Sequence, residues 1–244
     1  MENVLQTGLD RSLPHIGVIM QKFDTGRYPK FTLPGGFSFC SFRPGLEEQW
    51  ARLQHQVGGI DSLQEARTIF YQEFLLGKGY NWLGETPPAP AHTNPASFPC
   101  YEQMCKRMVF ITDSQSQLAG TAALWQGTLF GRPLQRIHWV AVRAGCQGLG
   151  LAKALLTRAL DLYWELDCCG PIYLTSQTWS YRALHLYRRF GFMPYFGEKP
   201  PEWLSADISS DGQPWDYAAK NQEAWRLIFE KWAAYDSAAA AKPH

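Results

Sequence analysis

The apolar positions of the chain change their period several times, and each change marks an element. Residues 1–36 show few periodic signals and end in the turn-like Leu33-Pro34-Gly35-Gly36, so they are read as an N-terminal arm. Phe37–Phe42 (FSFCSF) alternates apolar with small or polar side chains, the pattern of a half-buried strand. Pro44 then opens a helix in which Leu46, Trp50, Leu53 and Val57 keep helical spacing. In a second helix, Ser62 and Glu65 form a capping box, and Leu63, Ala66, Phe70 and Phe74 share a face. Five prolines between Gly77 and Cys100 exclude a regular element there; a lid and a plain insertion are the two readings of that loop. Strands are expected at Arg107–Thr112, Leu118–Trp125 and Arg136–Val142, the first two as a hairpin around Asp113–Gln117. A helix follows from about Gly148 to Glu165, with Ala152, Leu155, Leu156, Ala159, Tyr163 and Leu166 on its buried side. Ile172–Gln177 is the next strand, Tyr181–Arg189 the next helix, with Gly191 as its C′ residue and the strand-like FMPYF beyond it. The last strong pattern is a helix around Gln222–Trp232, followed by an Ala-rich end expected to fray. A hairpin followed by a β-α-β-α-β run predicts an α/β (α+β) fold with a mixed sheet and flanking helices. The expected organisation is an arm (1–36), one domain (37–197) and a C-terminal extension (198–244) with one helix packed on that domain.

Composition narrows the classes. With 244 residues, 45% of them hydrophobic, the chain can bury a core without disulfides or metals. Lys and Arg number 23 against 22 Asp and Glu, and the charges are dispersed, so nucleic acid is not an expected partner. No window approaches 18 uninterrupted apolar residues, so no membrane span is expected, and the first twenty residues lack the layout of a signal peptide. The six cysteines form no CxxC pair or Cys/His cluster with zinc spacing, so no metal site is expected. Reduced thiols in a cytoplasmic protein are the expectation.

Candidate chemistry concentrates between Val140 and Lys153. A strand ends at Val142 and a helix begins at the Gly148–Gly150 turn. Glycines there let the backbone approach a bound group, and the free amides of the first turn point outward at the positive end of the helix dipole. That is an anion site suited to a phosphate or diphosphate. The segment is not a P-loop, because Leu151 stands where the lysine belongs, nor a dinucleotide fingerprint, because Lys153 occupies the third glycine position.

The pattern Q/R-x-x-G-x-G/A does fit, as Gln147-Gly148-Leu149-Gly150-Leu151-Ala152. This resembles the coenzyme A loop of the GNAT N-acetyltransferase superfamily. Downstream, Ser180-x-x-Ala183-x-x-x-Tyr187-x-x-x-Gly191-Phe192 is similar to the family's second signature, with serine in place of its usual asparagine. The resemblance covers about Phe37 to Phe196. It implies a GNAT-like, mostly antiparallel twisted sheet and direct transfer of an acetyl group from acetyl-CoA to the amine of a small molecule or peptide. By the same resemblance, Ala141 and Val142 would pair with the pantetheine arm and the amides from Gly148 to Lys153 would hold the diphosphate. Ser180 would offer one hydroxyl to the cofactor in place of an amide.

Transfer needs two proton movements. A protonated amine must lose a proton before it attacks, and the departing thiolate needs one, for which a phenol is a fitting donor. By resemblance Tyr187 takes the acid role. His138, on the strand leading to the loop, is the candidate base, as in serotonin N-acetyltransferase of the same superfamily. Arg136, two residues back and on the same face, reads as a surface cation or a carboxylate guide. Glu65 and Glu73 are weaker base candidates with no motif behind them. Trp139 and Trp179 read as core or wall, and Cys146 lacks the partners of a nucleophile. The alternative function is a non-catalytic acyl-CoA sensor, for which serine at 180 is the hint; a hydrolase is disfavoured by the missing G-x-S-x-G elbow. The C-terminal helix reads as acceptor-side cover or as a homodimer contact.

Overall fold

A computed structural model of the chain describes residues 8–78, 95–203 and 216–240. Seven strands appear among them: β1 (Gly17–Lys22), β2 (Phe37–Cys40), β3 (Met108–Asp113), β4 (Leu118–Gly127), β5 (Leu134–Val142), β6 (Ile172–Gln177) and β7 (Met193–Pro194). The helices are α1 (Leu46–Gln56), α2 (Leu63–Ile69), α3 (Tyr101–Arg107), α4 (Leu151–Glu165), α5 (Tyr181–Arg189) and α6 (Tyr217–Ala240). Every strand pair with a recorded register is antiparallel, and the fold is of the expected mixed α/β class with flanking helices. No described helix is long and apolar enough to cross a membrane.

The chain divides into two compact units. The first takes residues 30–125 and 136–169. Its strands run in the order β2-β3-β4-β5, with Phe37 opposite Asp113 and Met108 opposite Ala123. The N-cap of α2 forms as expected, Ser62 Oγ accepting from the Glu65 backbone N–H at 3.1 Å, whereas α1 begins at Leu46 behind Gly45 rather than at Pro44; its Leu46, Trp50 and Leu53 are buried. Beyond Ile69 the helix widens into a π-turn, Phe70–Leu75. The core gathers around Trp50, whose ring meets Phe70, Phe74 and Trp139 edge-on at 5.2, 5.6 and 5.5 Å. Phe74 meets Trp125 of β4 at 5.0 Å, so the π-turn is pinned to the sheet by aromatic packing. Helix α4 lies close on the sheet: a Cβ added to Gly120 would stand 3.1 Å from Leu155 and 3.2 Å from the Ala141 carbonyl. Glycine at 120 is therefore the condition of that approach.

The second unit takes residues 8–29, 126–135 and those from 170 onward. Its strand order is β6-β1-β7, with Gly17 opposite Gln177 and Met20 opposite Pro194. Helix α6 packs on β1 and α5. Trp225, Ile228 and Trp232 fill its buried stripe, and Trp232 Nε1 donates to the Tyr181 carbonyl at 2.8 Å.

Four further expectations change. The segment read as an arm contains β1, an interior strand whose Val-Ile-Met run is buried on both faces and so shows no alternation. Helix α3 occupies the end of the segment read as loop and the start of the strand expected from Arg107. Only Met193 and Pro194 of FMPYF pair as a strand, and α6 runs well past Gln222–Trp232 in both directions. Residues 79–94, the middle of the proline-rich loop, lie outside the described residues.

Candidate active site

The turn into α4 has the backbone that the sequence requires of it. Gly148 and Gly150 stand at φ 79° and 89°, in the left-handed region where a side chain is strained. Gly150 is the N-cap of α4, and no side chain caps the helix. A Cβ added at Gly145, Gly148 or Gly150 would meet nothing within 4 Å, so there is open space beside the turn at each of these glycines. The amide-rich, positive end of a fifteen-residue helix thus opens outward, which suits a diphosphate. Leu149 is exposed at the turn, while Leu151 is buried and anchors the helix behind it. Lys153, in the first turn, holds its ammonium 5.1 Å from the centre of the Phe31 ring.

The strand end feeding this turn is also organised. Arg143 N–H donates to the Ala119 carbonyl of β4 at 2.9 Å. Strand alternation therefore turns the backbone groups of Val142 to the opposite edge of β5. There the Val142 carbonyl accepts from Gln147 Nε2 at 3.2 Å, so the glutamine of the motif folds back on its own strand. Ala141 is buried against β4, with its carbonyl facing Gly120.

Further up β5 a second cluster forms around one carboxylate. Glu73, placed by the π-turn, has a side chain only 1% exposed. It accepts from Arg136 Nη2, from His138 Nε2 at 2.8 Å and from Trp139 Nε1 at 2.7 Å. Arg136 and His138 share a face, as strand alternation requires. Trp139 should face the other way. Its φ of 47° breaks the alternation, and its indole comes round to the same carboxylate while its carbonyl accepts from the buried Gln54 amide at 3.2 Å. A non-glycine residue in this region costs about 1–2 kcal/mol, so the surrounding packing must impose it.

The charges in the cluster follow from this packing. Burial pushes the Glu73 carboxyl up, but the charges of His138 and Arg136 and the hydrogen bonds from His138 and Trp139 outweigh that and hold it at about 2. Burial, reinforced by the Arg136 charge and only partly opposed by Glu73, pushes His138 down to about 4. Burial holds the imidazole toward its neutral form, and Glu73 is kept ionised by the hydrogen bonds it accepts and the positive charge beside it. Arg136, read from the sequence as a surface cation or a carboxylate guide, is a half-buried partner of Glu73 with 16% of its side chain exposed. Glu65 stays at the N-terminus of α2, its backbone capped by Ser62, apart from this cluster. No group of three or more His, Cys, Asp or Glu among the described residues is arranged to hold a metal ion.

In the second unit, Tyr187 lies on the buried side of α5, edge-on to Phe192 at 6.1 Å, and burial pushes its phenol above the usual value. Ser180 is the N-cap of α5, and its hydroxyl accepts from Gln177 Nε2 at 3.1 Å. Trp179 packs edge-on to His15 at 4.6 Å and donates to the Leu13 carbonyl, a wall residue as its size predicts.

Residues 76–192 match the sequence model of the Acetyltransferase (GNAT) family, so this part of the chain is a GNAT acetyltransferase domain. Solved structures similar to it include a GNAT-family acetyltransferase from Colwellia psychrerythraea, 9% identical with a TM-score of 0.50, the match covering 74% of this chain and 53% of that one. A GCN5-related N-acetyltransferase from Sphaerobacter thermophilus is 19% identical with a TM-score of 0.43, over 74% of this chain and 49% of that one. A tandem GNAT protein from the clavulanic acid biosynthesis pathway is 15% identical with a TM-score of 0.45, over 77% and 53%. The chain thus spans about half the length of these structures. No curated protein matches it. The family match begins after Glu73, the hub of the β5 cluster. The one sequence signal for that hub is a lone carboxylate inside the apolar run Phe70-Tyr71-Gln72-Glu73-Phe74-Leu75-Leu76.

Proposed function

We propose that the chain is an N-acetyltransferase that moves the acetyl group of acetyl-CoA directly to a primary amine of a small molecule or peptide. The observation that carries this reading is the start of α4, where two left-handed glycines have open space beside them and no side chain caps the helix. Gly148 to Lys153 would hold the diphosphate, with the Lys153 ammonium adding a positive charge. The carrier supplies an activated acetyl group; the proton traffic belongs to the chain. His138 takes the proton that the amine nitrogen loses as it bonds to the acetyl carbon. By the family resemblance, Tyr187 would give its phenolic proton to the sulfur as it leaves. Both side chains then return to their resting forms by proton exchange with solvent. Arg136 and Glu73 cancel each other's charge, so the site presents a neutral imidazole to an incoming amine rather than a net anion.

Titration calorimetry with acetyl-CoA tests the reading directly. Saturable binding is expected, and no heat of binding at millimolar ligand rejects it. A sensor that binds acyl-CoA without turnover is the second reading, favoured by the serine at 180 and by the tie of its hydroxyl to Gln177. Tyr187→Phe separates the two: an enzyme keeps its acetyl-CoA affinity and loses turnover with a panel of amines, followed by product mass.

A further inference from the structure

We propose that Glu73 is a positioning residue for acetyl transfer: its carboxylate fixes the proton of His138 on Nε2, leaving Nδ1 as the nitrogen that accepts from the amine. The inference rests on the transfer reading above, but its first test does not need turnover.

An ionised carboxylate only accepts hydrogen bonds. Glu73 is ionised beside Arg136, so the 2.8 Å contact from His138 Nε2 must carry the imidazole proton on that nitrogen. Neutral imidazole has one proton, and Nδ1 is then the basic atom. Glu73 itself, with Arg136, His138 and Trp139 already donating to it, is poorly placed to take a proton from substrate. Two departures from regular backbone serve this one carboxylate. The π-turn delivers Glu73, and the left-handed Trp139 adds the third donor on the wrong side of an alternating strand. Such departures concentrate where function requires them. The charged groups acting on His138 are Glu73 from the π-turn and Arg136 from its own strand. When Nδ1 takes a proton, the imidazolium stays bonded to a carboxylate that can balance it, as in other base–orienter pairs. A purely structural Glu73 would instead tie the π-turn to β5 with no bearing on which imidazole nitrogen is protonated.

NMR of the imidazole nitrogens in the nitrogen-labelled free protein reads the tautomer. Protonated Nε2 and bare Nδ1 are expected in the wild type; a proton on Nδ1 overturns the proposal whatever the activity. In Glu73→Gln the amide can donate as well as accept, and the fixed tautomer is expected to be lost. The same variant is expected to lower kcat on the order of 100-fold, with KM for acetyl-CoA unchanged. The acid limb of its kcat/KM profile should move to lower pH, because the carboxylate no longer counters Arg136. Glu73→Gln/His138→Gln should be no slower than His138→Gln alone, since Glu73 acts through the imidazole. Additive losses, or an unmoved acid limb, would assign Glu73 to scaffolding and defeat the proposal. A wild type that binds acetyl-CoA, shows the expected tautomer and acetylates no amine counts against the transfer reading, not against the positioning of His138.

Discussion

At Gly150 the backbone stands at φ 89° with open space beside it, and no side chain caps the first turn of α4. Gly150→Val puts a branched Cβ into that left-handed position, at a cost of about 1–2 kcal/mol. It also places methyl groups over the helix mouth. A drop in melting temperature and at least about tenfold weaker acetyl-CoA binding by calorimetry are expected together, that factor being worth about 1.4 kcal/mol. His138 makes a separate prediction. Its folded value lies near 4 and its ordinary value at 6.5, so between those limits the unfolded chain binds the extra proton. The contribution of the neutral, buried imidazole is complete above 6.5 and is lost as pH falls toward 4. Thermal melts across that range should show a decline that His138→Gln flattens. The sequence reached His138 by its strand position and named Arg136 and Glu73 singly, but not the link that joins the three. Arg136 looked like a surface cation because nothing in its spacing reveals that a carboxylate waits across the core.

Helix α4 is the element whose placement was most legible. Its glycine turn, its apolar stripe and the strand ahead of it are all local patterns, and they form as the sequence predicts. Its closeness to β4 depends on Gly120. Gly120→Val forces atoms against Leu155 and the Ala141 carbonyl, and a loss of about 1–3 kcal/mol in chemical denaturation is expected. The π-turn after α2 was not legible. Phe70 and Phe74 satisfy an ordinary helical period, and only packing against Trp50 and Trp125 makes the wider turn worthwhile. Helix α3 was hidden in the same way, because its seven residues hold one buried apolar side chain, Met104, and so no periodic stripe.

For the whole molecule, the fold class followed from the order of strand and helix signals, while the division into two units did not. Local patterns carry no information about which distant segments associate, and the second unit draws on both ends of the chain. Binding supplies a test at this scale. A ligand that occupies the native state alone stabilises it by about 2.7 kcal/mol at a hundredfold excess over Kd. For a chain of this size that corresponds to a rise of roughly 5–10 °C in melting temperature with acetyl-CoA. The rise should vanish in Gly150→Val.

The pairing of β1 also sets an order of events during synthesis. Lys22 waits for Ile172 and Gly17 for Gln177, partners made about 150 residues or more later in synthesis. Until then an apolar Val-Ile-Met segment emerges early with neither of its hydrogen-bonding neighbours in existence. Closing so long a loop is slow, so completion of the second unit belongs to the last stage of folding. Deleting the first 22 residues would leave β6 and β7 with no strand to lie between them, and a nascent chain stalled before Ile172 would expose this segment to chaperones and to aggregation.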